Sequence, residues 1–175
     1  MIHINLAGIS LGSADGADVE DIHFRNIKMS SVRVPISMLN GGGVRGRRIN
    51  GAPMKRESMK NITIENLIAG NLRDNFGSHI DGRCGDGVQD RISDILLKNV
   101  HIECKGGYCG EAPSQPIEYN GEYPDYYWCE PTMPAYGLYV RHTDNIRLEN
   151  CEFDLLSDDS REAVLFDDCT DVLRD

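Results

Sequence analysis

The chain is short of positive charge, of large aromatics and of long apolar runs. Lys and Arg number 18 against 28 Asp and Glu in 175 residues, a formal net charge of −10. Nucleic acids and anionic membranes are bound through basic faces, so neither is an expected partner. Arg45, Arg47 and Arg48 make a local basic patch, which reads as a solvated loop. No apolar run approaches the roughly 18 residues that a spanning helix needs. The stretch from Met1 to Gly8 has neither the basic start nor the long apolar core of a secretory leader. It reads as the middle of a strand, so the polypeptide is expected to extend upstream of Met1. With 4 Phe and 1 Trp, the core must be built from Ile, Val, Leu and Met. Metal-ligand spacing is missing too: six cysteines are present, but no CxxC and no Cys/His pattern. No metal or other cofactor is therefore expected. Cys104 and Cys109 could close a small loop around Gly106 and Gly107, and Cys151 reads as a small core residue.

What the chain does have is a repeat. Residues 19–29, 59–69, 93–102 and 143–153 share the form [D/N]-I-x-[F/I/L]-x-N-[apolar]-x-[apolar]. A fifth copy begins at Asp171-Val172. Alternation such as Ile62, Ile64 is strand period, with those side chains facing inward. Asn then breaks the alternation before a new apolar pair, Leu67 and Ala69. Asn tolerates the left-handed conformation that a corner requires. Stacking in register would set Asn26, Asn66, Asn99 and Asn150 above one another, their amides hydrogen-bonded in a ladder.

The pattern predicts an all-β fold: one right-handed, single-stranded parallel β-helix segment over 1–175, whose coils cover each other's apolar faces. A β-sandwich would place hairpin turns between matched strands. Asn40-Gly41 and Asn120-Gly121 sit instead in long loops, over 39–57 and 105–135. Shorter strands, over 8–13, 34–38, 78–81, 137–142 and 163–166, are expected to form the remaining walls. The second long loop carries Tyr119, Tyr123, Tyr126, Tyr127 and Trp128, placed either to stack on sugar rings or to cover a flank of the helix.

Four stretches carry a family resemblance. They are Ala17-Asp18-Val19-Glu20-Asp21-Ile22 running on to Val34-Pro35-Ile36-Ser37, Phe76-Gly77-Ser78-His79-Ile80-Asp81-Gly82 followed by Ile92-Ser93-Asp94-Ile95, Pro134-Ala135-Tyr136-Gly137-Leu138-Tyr139-Val140-Arg141-His142, and Glu162-Ala163-Val164-Leu165-Phe166-Asp167-Asp168. Together they resemble the C-terminal coils of glycoside hydrolase family 28, the polygalacturonases and rhamnogalacturonan hydrolases. The resemblance implies a secreted or periplasmic enzyme acting on pectic polysaccharide by inverting hydrolysis. The family's Asn-Thr-Asp, Gly-His-Gly and Arg-Ile-Lys motifs do not occur here, and Arg33-Val34-Pro35 is a loose echo of the last. The catalytic coils are accordingly expected upstream, with no catalytic residue in this chain.

Inverting hydrolysis needs two carboxyl groups roughly 6.5–9.5 Å apart. Asp158-Asp159 reads as a solvated turn. Asp167-Asp168 ends a strand, where neighbours point to opposite faces and either could cap a corner. His79, Asp81 and Arg83 alternate, which puts them on one strand face. Facing outward, they could contact sugar hydroxyls or a uronate, for which the planar Arg fork is suited. A hydrated strand face is the plainer alternative. Arg141 and His142 end another strand and complete the candidate substrate-binding set, with His142 also suited to bonding a corner carbonyl.

Three functions compete: part of a pectic glycoside hydrolase, a non-catalytic carbohydrate-binding or structural (adhesin-like) β-helix, and a pectate-lyase-like β-helix. The last wants clustered carboxylates for Ca²⁺, and no such strand-borne cluster is evident. An isolated segment of stacked coils also exposes strand edges, so end-to-end self-association is expected.

Overall fold

A computed structural model describes residues 7–13, 17–40, 58–85, 88–114 and 133–175. Among these the protein is all-β, with no helix. The strands in chain order are β1 (Ala7–Ser13), β2 (Val19–Ser30), β3 (Val34–Asn40), β4 (Met59–Gly70), β5 (Ser78–Asp81), β6 (Arg83–Gly85), β7 (Val88–Asp90), β8 (Ile92–Cys104), β9 (Ala135–Arg141), β10 (Thr143–Leu155), β11 (Glu162–Asp167) and β12 (Thr170–Arg174). They form two five-stranded sheets, β1-β3-β5-β9-β11 (sheet I) and β2-β4-β8-β10-β12 (sheet II), and a small β6-β7 pair. Every pairing within the two large sheets is parallel. Apart from the β6-β7 detour, the chain alternates between them.

The four repeats are β2, β4, β8 and β10, and the incipient fifth is β12. Their inward positions coincide: Ile22, Ile62, Ile95 and Ile146 are in register, as are Phe24, Ile64, Leu97 and Leu148. Sheet I supplies Ile36, Met38, Ile80, Leu138 and Val140 to the same core. Ile62, Ile64, Leu97 and Ile146 are completely buried, each burial stabilising the fold by about 1.5–3 kcal/mol.

The expected ladder forms. Asn66 Nδ2 donates to Asn26 Oδ1 at 2.9 Å, Asn99 to Asn66 at 3.0 Å and Asn150 to Asn99 at 2.9 Å. All four residues have φ between 51° and 57°, so the amide is selected both for its conformation and for its hydrogen bonds. The steps between ladder members are 40, 33 and 51 residues. Inserts of different length therefore leave the register untouched. A second ladder occupies the first [D/N] of the repeat. Asp21, Asn61, Asp94, Asn145 and Asp171 all have positive φ, Asn61 donates to Asp21, and Asn145 donates to Asp94 at 2.7 Å.

Some boundaries differ from expectation. Leu39, Asn40 and Ala135 belong to strands rather than loops, because Leu39 pairs with Gly12 and Asp81, Asn40 with Ser13 and Ala135 with Glu162. The β6-β7 hairpin was not anticipated, although Asp86-Gly87 is a strong turn signal. Cys104 and Cys109 are both free thiols, not a bridge. Cys104 is buried, which pushes its thiol pKa up to about 12. Arg45, Arg47, Arg48, the stretch from Tyr119 to Cys129, and Met1 to Leu6 lie outside the described residues.

Candidate functional site

Inward packing of Ile36, Ile80, Leu138 and Val140 turns the alternate residues of sheet I to its other face. Two lines of side chains result. One runs Ser37, His79, Tyr139, Leu165 and the other Leu39, Asp81, Arg141, Asp167. The candidates His79, Asp81 and Arg141 are thus brought together from two strands. Contrary to the plainer alternative, this face is not hydrated: His79 is 0%, Asp81 2%, Tyr139 0% and Arg141 8% exposed.

Buried polar groups need partners, and each of these side chains has at least one, although His79 Nδ1 is itself unbonded among the described residues. Arg141 clamps Asp81 through both carboxylate oxygens, Nε to Oδ1 at 2.8 Å and Nη2 to Oδ2 at 2.9 Å. Tyr139 donates its hydroxyl to Asp167 Oδ2 at 2.9 Å. Burial, then that bond, raise the Tyr139 pKa. His79 Nε2 and Ser37 Oγ share a 2.8 Å hydrogen bond. Burial lowers the His79 pKa to about 3, so its imidazole is neutral. Arg83 does not continue this stripe. β5 stops at Asp81, and at Gly82 an added Cβ would stand 2.5 Å from the His142 carbonyl oxygen and 3.0 Å from that of Asp90. The backbone of Arg83 opens β6, and its side chain lies outside the described residues.

His142 leaves the stripe as well. It sits at the β9–β10 corner with φ 49°, and its ring Nδ1 lies 2.7 Å from Asp168 Oδ2, a carboxylate rather than a carbonyl. Asp168, φ 45°, caps the stacked β11–β12 corner, as the alternate-face argument allowed. Arg91 ties these corners together. It is bidentate to Asp144 at 2.7 Å for each bond, and donates to Asp168 Oδ2 at 2.7 Å and to the Asp168 carbonyl at 2.8 Å. Hydrogen bonding to Asp144 holds the Arg91 pKa up, and hydrogen bonding to Arg91 holds that of Asp144 down.

Asp159 is not a solvated turn residue. Its side chain is fully buried, clamped by Arg161 at 2.9 and 2.8 Å. Arg161 also donates to the carbonyls of Asn75 and Met133 and lies 5.1 Å over the Tyr108 ring. Burial opposes ionisation of Asp159, but the Arg161 hydrogen bonds prevail and its pKa is lowered. This pair staples three connecting segments.

Sequence reasoning passed over Tyr139, Ser37, Arg91 and Asp144. Tyr139 was recoverable, because it alternates with Arg141 along Gly137-Leu138-Tyr139-Val140-Arg141. Arg91 was not, because its partners lie 53 and 77 residues away.

Fold and site together define an all-β protein of two parallel sheets, one of which carries a buried, internally paired polar face. No family model, curated protein or solved structure matches the chain.

Proposed function

We propose that the chain is the C-terminal, non-catalytic portion of a right-handed parallel β-helix glycoside hydrolase that acts on pectic, galacturonan-like polysaccharide outside the cytoplasm. Support for the helix comes from the strict alternation between two parallel sheets and from the stacked Asn corners. Support for pectic chemistry comes from the four stretches that resemble family 28. The observation that carries the non-catalytic assignment is the bidentate Arg141–Asp81 clamp. A general acid or base must reach the substrate, whereas both oxygens of Asp81 are committed to one guanidinium and Asp167 accepts from Tyr139. On this reading His79, Asp81, Arg141 and His142 shape the wall beside which a substrate would lie, and Arg83 is a candidate for a uronate on the sequence pattern alone. Catalytic carboxylates would come from other coils.

The internal pairing equally suits a second reading, a non-catalytic carbohydrate-binding or structural β-helix. Reducing-sugar release from polygalacturonate and rhamnogalacturonan separates the two when this chain is assayed beside a version extended upstream. Release by the extended form alone is expected. Release by the 175 residues would overturn the non-catalytic assignment and make Asp81 and Asp167 the first residues to mutate. Release by neither would favour the second reading.

A further inference from the structure

Three chelating side chains that are far apart in the chain meet at the stacked corners. Cys84 comes from β6, His142 from the β9–β10 corner and Asp168 from the β11–β12 corner. The Cys84 Sγ, a ring nitrogen of His142 and a carboxylate oxygen of Asp168 lie within 4.8 Å of one another. We propose that Cys84, His142 and Asp168 form a binding site for a zinc-class divalent cation.

The donor set suits that ion. Zinc takes thiolate, imidazole and carboxylate ligands at about 2.0–2.3 Å, usually four in a tetrahedron. Adjacent ligand atoms in such a tetrahedron are about 3.3–3.8 Å apart, so side-chain movements of about an ångström would close the site. The His142 Nδ1 and Asp168 Oδ2 atoms, now 2.7 Å apart across a hydrogen bond, would separate slightly to admit the ion. The fourth position falls to water, because the Asp168 side chain is 54% exposed and leaves the cluster an open flank.

The backbone is already fixed for the purpose. His142 donates its N–H to the Asp167 carbonyl at 3.1 Å and accepts from Ile92 N–H at 3.1 Å, while Gly82 donates to the Arg141 carbonyl at 3.0 Å. Two of the three ligands therefore sit on bonded corners rather than on free loops. Charge also balances. With the thiol ionised, Cys84, Asp144 and Asp168 carry three negative charges against the one positive charge of Arg91, and a dication makes up the difference. Arg91 is held by Asp144, and its Nη1 donates to Asp168 Oδ2 at 2.7 Å and to Cys84 Sγ at 3.7 Å, contacts that a bound ion would have to displace. Loading would release the thiol proton of Cys84, and His142 would keep a proton on Nε2 only.

Among the described residues a second set, His101, Glu152 and Asp154, could also gather a cation, but it has no sulfur. Cobalt(II) titration of the chain discriminates between them, because thiolate ligation gives a strong near-ultraviolet charge-transfer band and oxygen or imidazole ligation does not. The expected result is a saturating band at one equivalent. It should vanish in Cys84→Ser and persist in Cys109→Ser and His101→Gln. His142→Asn and Asp168→Asn keep residues that tolerate positive φ, and each should weaken binding by at least the roughly 10-fold that loss of an outer-shell partner costs. A band that survives Cys84→Ser, or no band at all, overturns the site. A second measurement needs no variant: zinc should protect Cys84 of the native chain from alkylation, mapped by peptide mass, and should leave Cys109 unprotected. An unchanged Cys84 rate would overturn it independently of how any variant folds.

Discussion

The outward faces of the two sheets solve opposite problems. That of sheet I is polar and buried: His79, Asp81, Tyr139 and Arg141 are at most 8% exposed, and each is engaged by a specific partner. That of sheet II is polar and wet. Its Asn ladders and cross-strand pairs, such as Lys98 with Glu149 at 3.2 Å, stand at the surface with side chains 44% and 35% exposed. Both back onto one apolar core, so hydrophobic burial does not separate them. What differs is the price of an unmatched polar atom, large when water is excluded and small when water can replace the partner. Sheet I is therefore where single polar substitutions should be felt.

The largest effect is expected from Arg141→Ala. It leaves Asp81 buried beside a hole, and removing one partner of a buried pair costs about 3–5 kcal/mol. Urea unfolding of the variant should show the loss, and Asp81→Asn in the same background should recover part of it by removing the stranded charge. A cost under about 1 kcal/mol, the range of exposed pairs, would mean that the two faces do not differ as described.

His79 sharpens the comparison through pH. Its folded pKa, lowered by burial to about 3, lies below the unfolded value of 6.5. The unfolded chain therefore takes up a proton first. The stability that neutral His79 contributes is fully present above about pH 6.5 and is lost as pH falls toward the folded value. The expected slope is on the order of 1 kcal/mol per pH unit below pH 6. His79→Gln should remove that increment from the profile, and parallel profiles for the two proteins would refute the neutral buried imidazole.

The difference between the faces also explains what could be read from sequence. Sheet II announces itself. Its inward residues recur with period two, and the two corners within each repeat are Asn or Asp, because a left-handed backbone disfavours most other side chains. Four copies of that constraint fix the strands, the register and the Asn26–Asn66–Asn99–Asn150 ladder before any coordinates. Sheet I has no such periodic constraint. That His79 and Asp81 share a face follows from alternation, but the partners of Asp81 and Arg91 are set by which strands stack after inserts of unequal length. Nothing local to Arg141 says that it lies beside residue 81. For the same reason Asp159, next to Asp158 in an apparently polar turn, gave no sign of the buried Arg161 clamp.

The smallest expected effect tests sheet II itself, where each ladder amide does two jobs. Asn66 holds φ 57° and bonds to both Asn26 and Asn99. Asn66→Ala removes both contributions. The left-handed backbone costs an alanine about 1–2 kcal/mol, and each exposed hydrogen bond is worth about 0.5 kcal/mol, the low end of the usual range. The total expected loss is about 2–3 kcal/mol. Asn66→Gly removes the amide but keeps the conformation, so it should recover about 1 kcal/mol relative to alanine, less the extra flexibility that glycine brings to the unfolded chain. If glycine and alanine are equally damaging, the hydrogen-bonded ladder rather than the backbone conformation holds the corner. Sheet II would then depend on its outward polar bonds as heavily as sheet I does. If glycine is milder, the ladder chiefly records which residues tolerate the turn, and the exposed face keeps its register through the core beneath it.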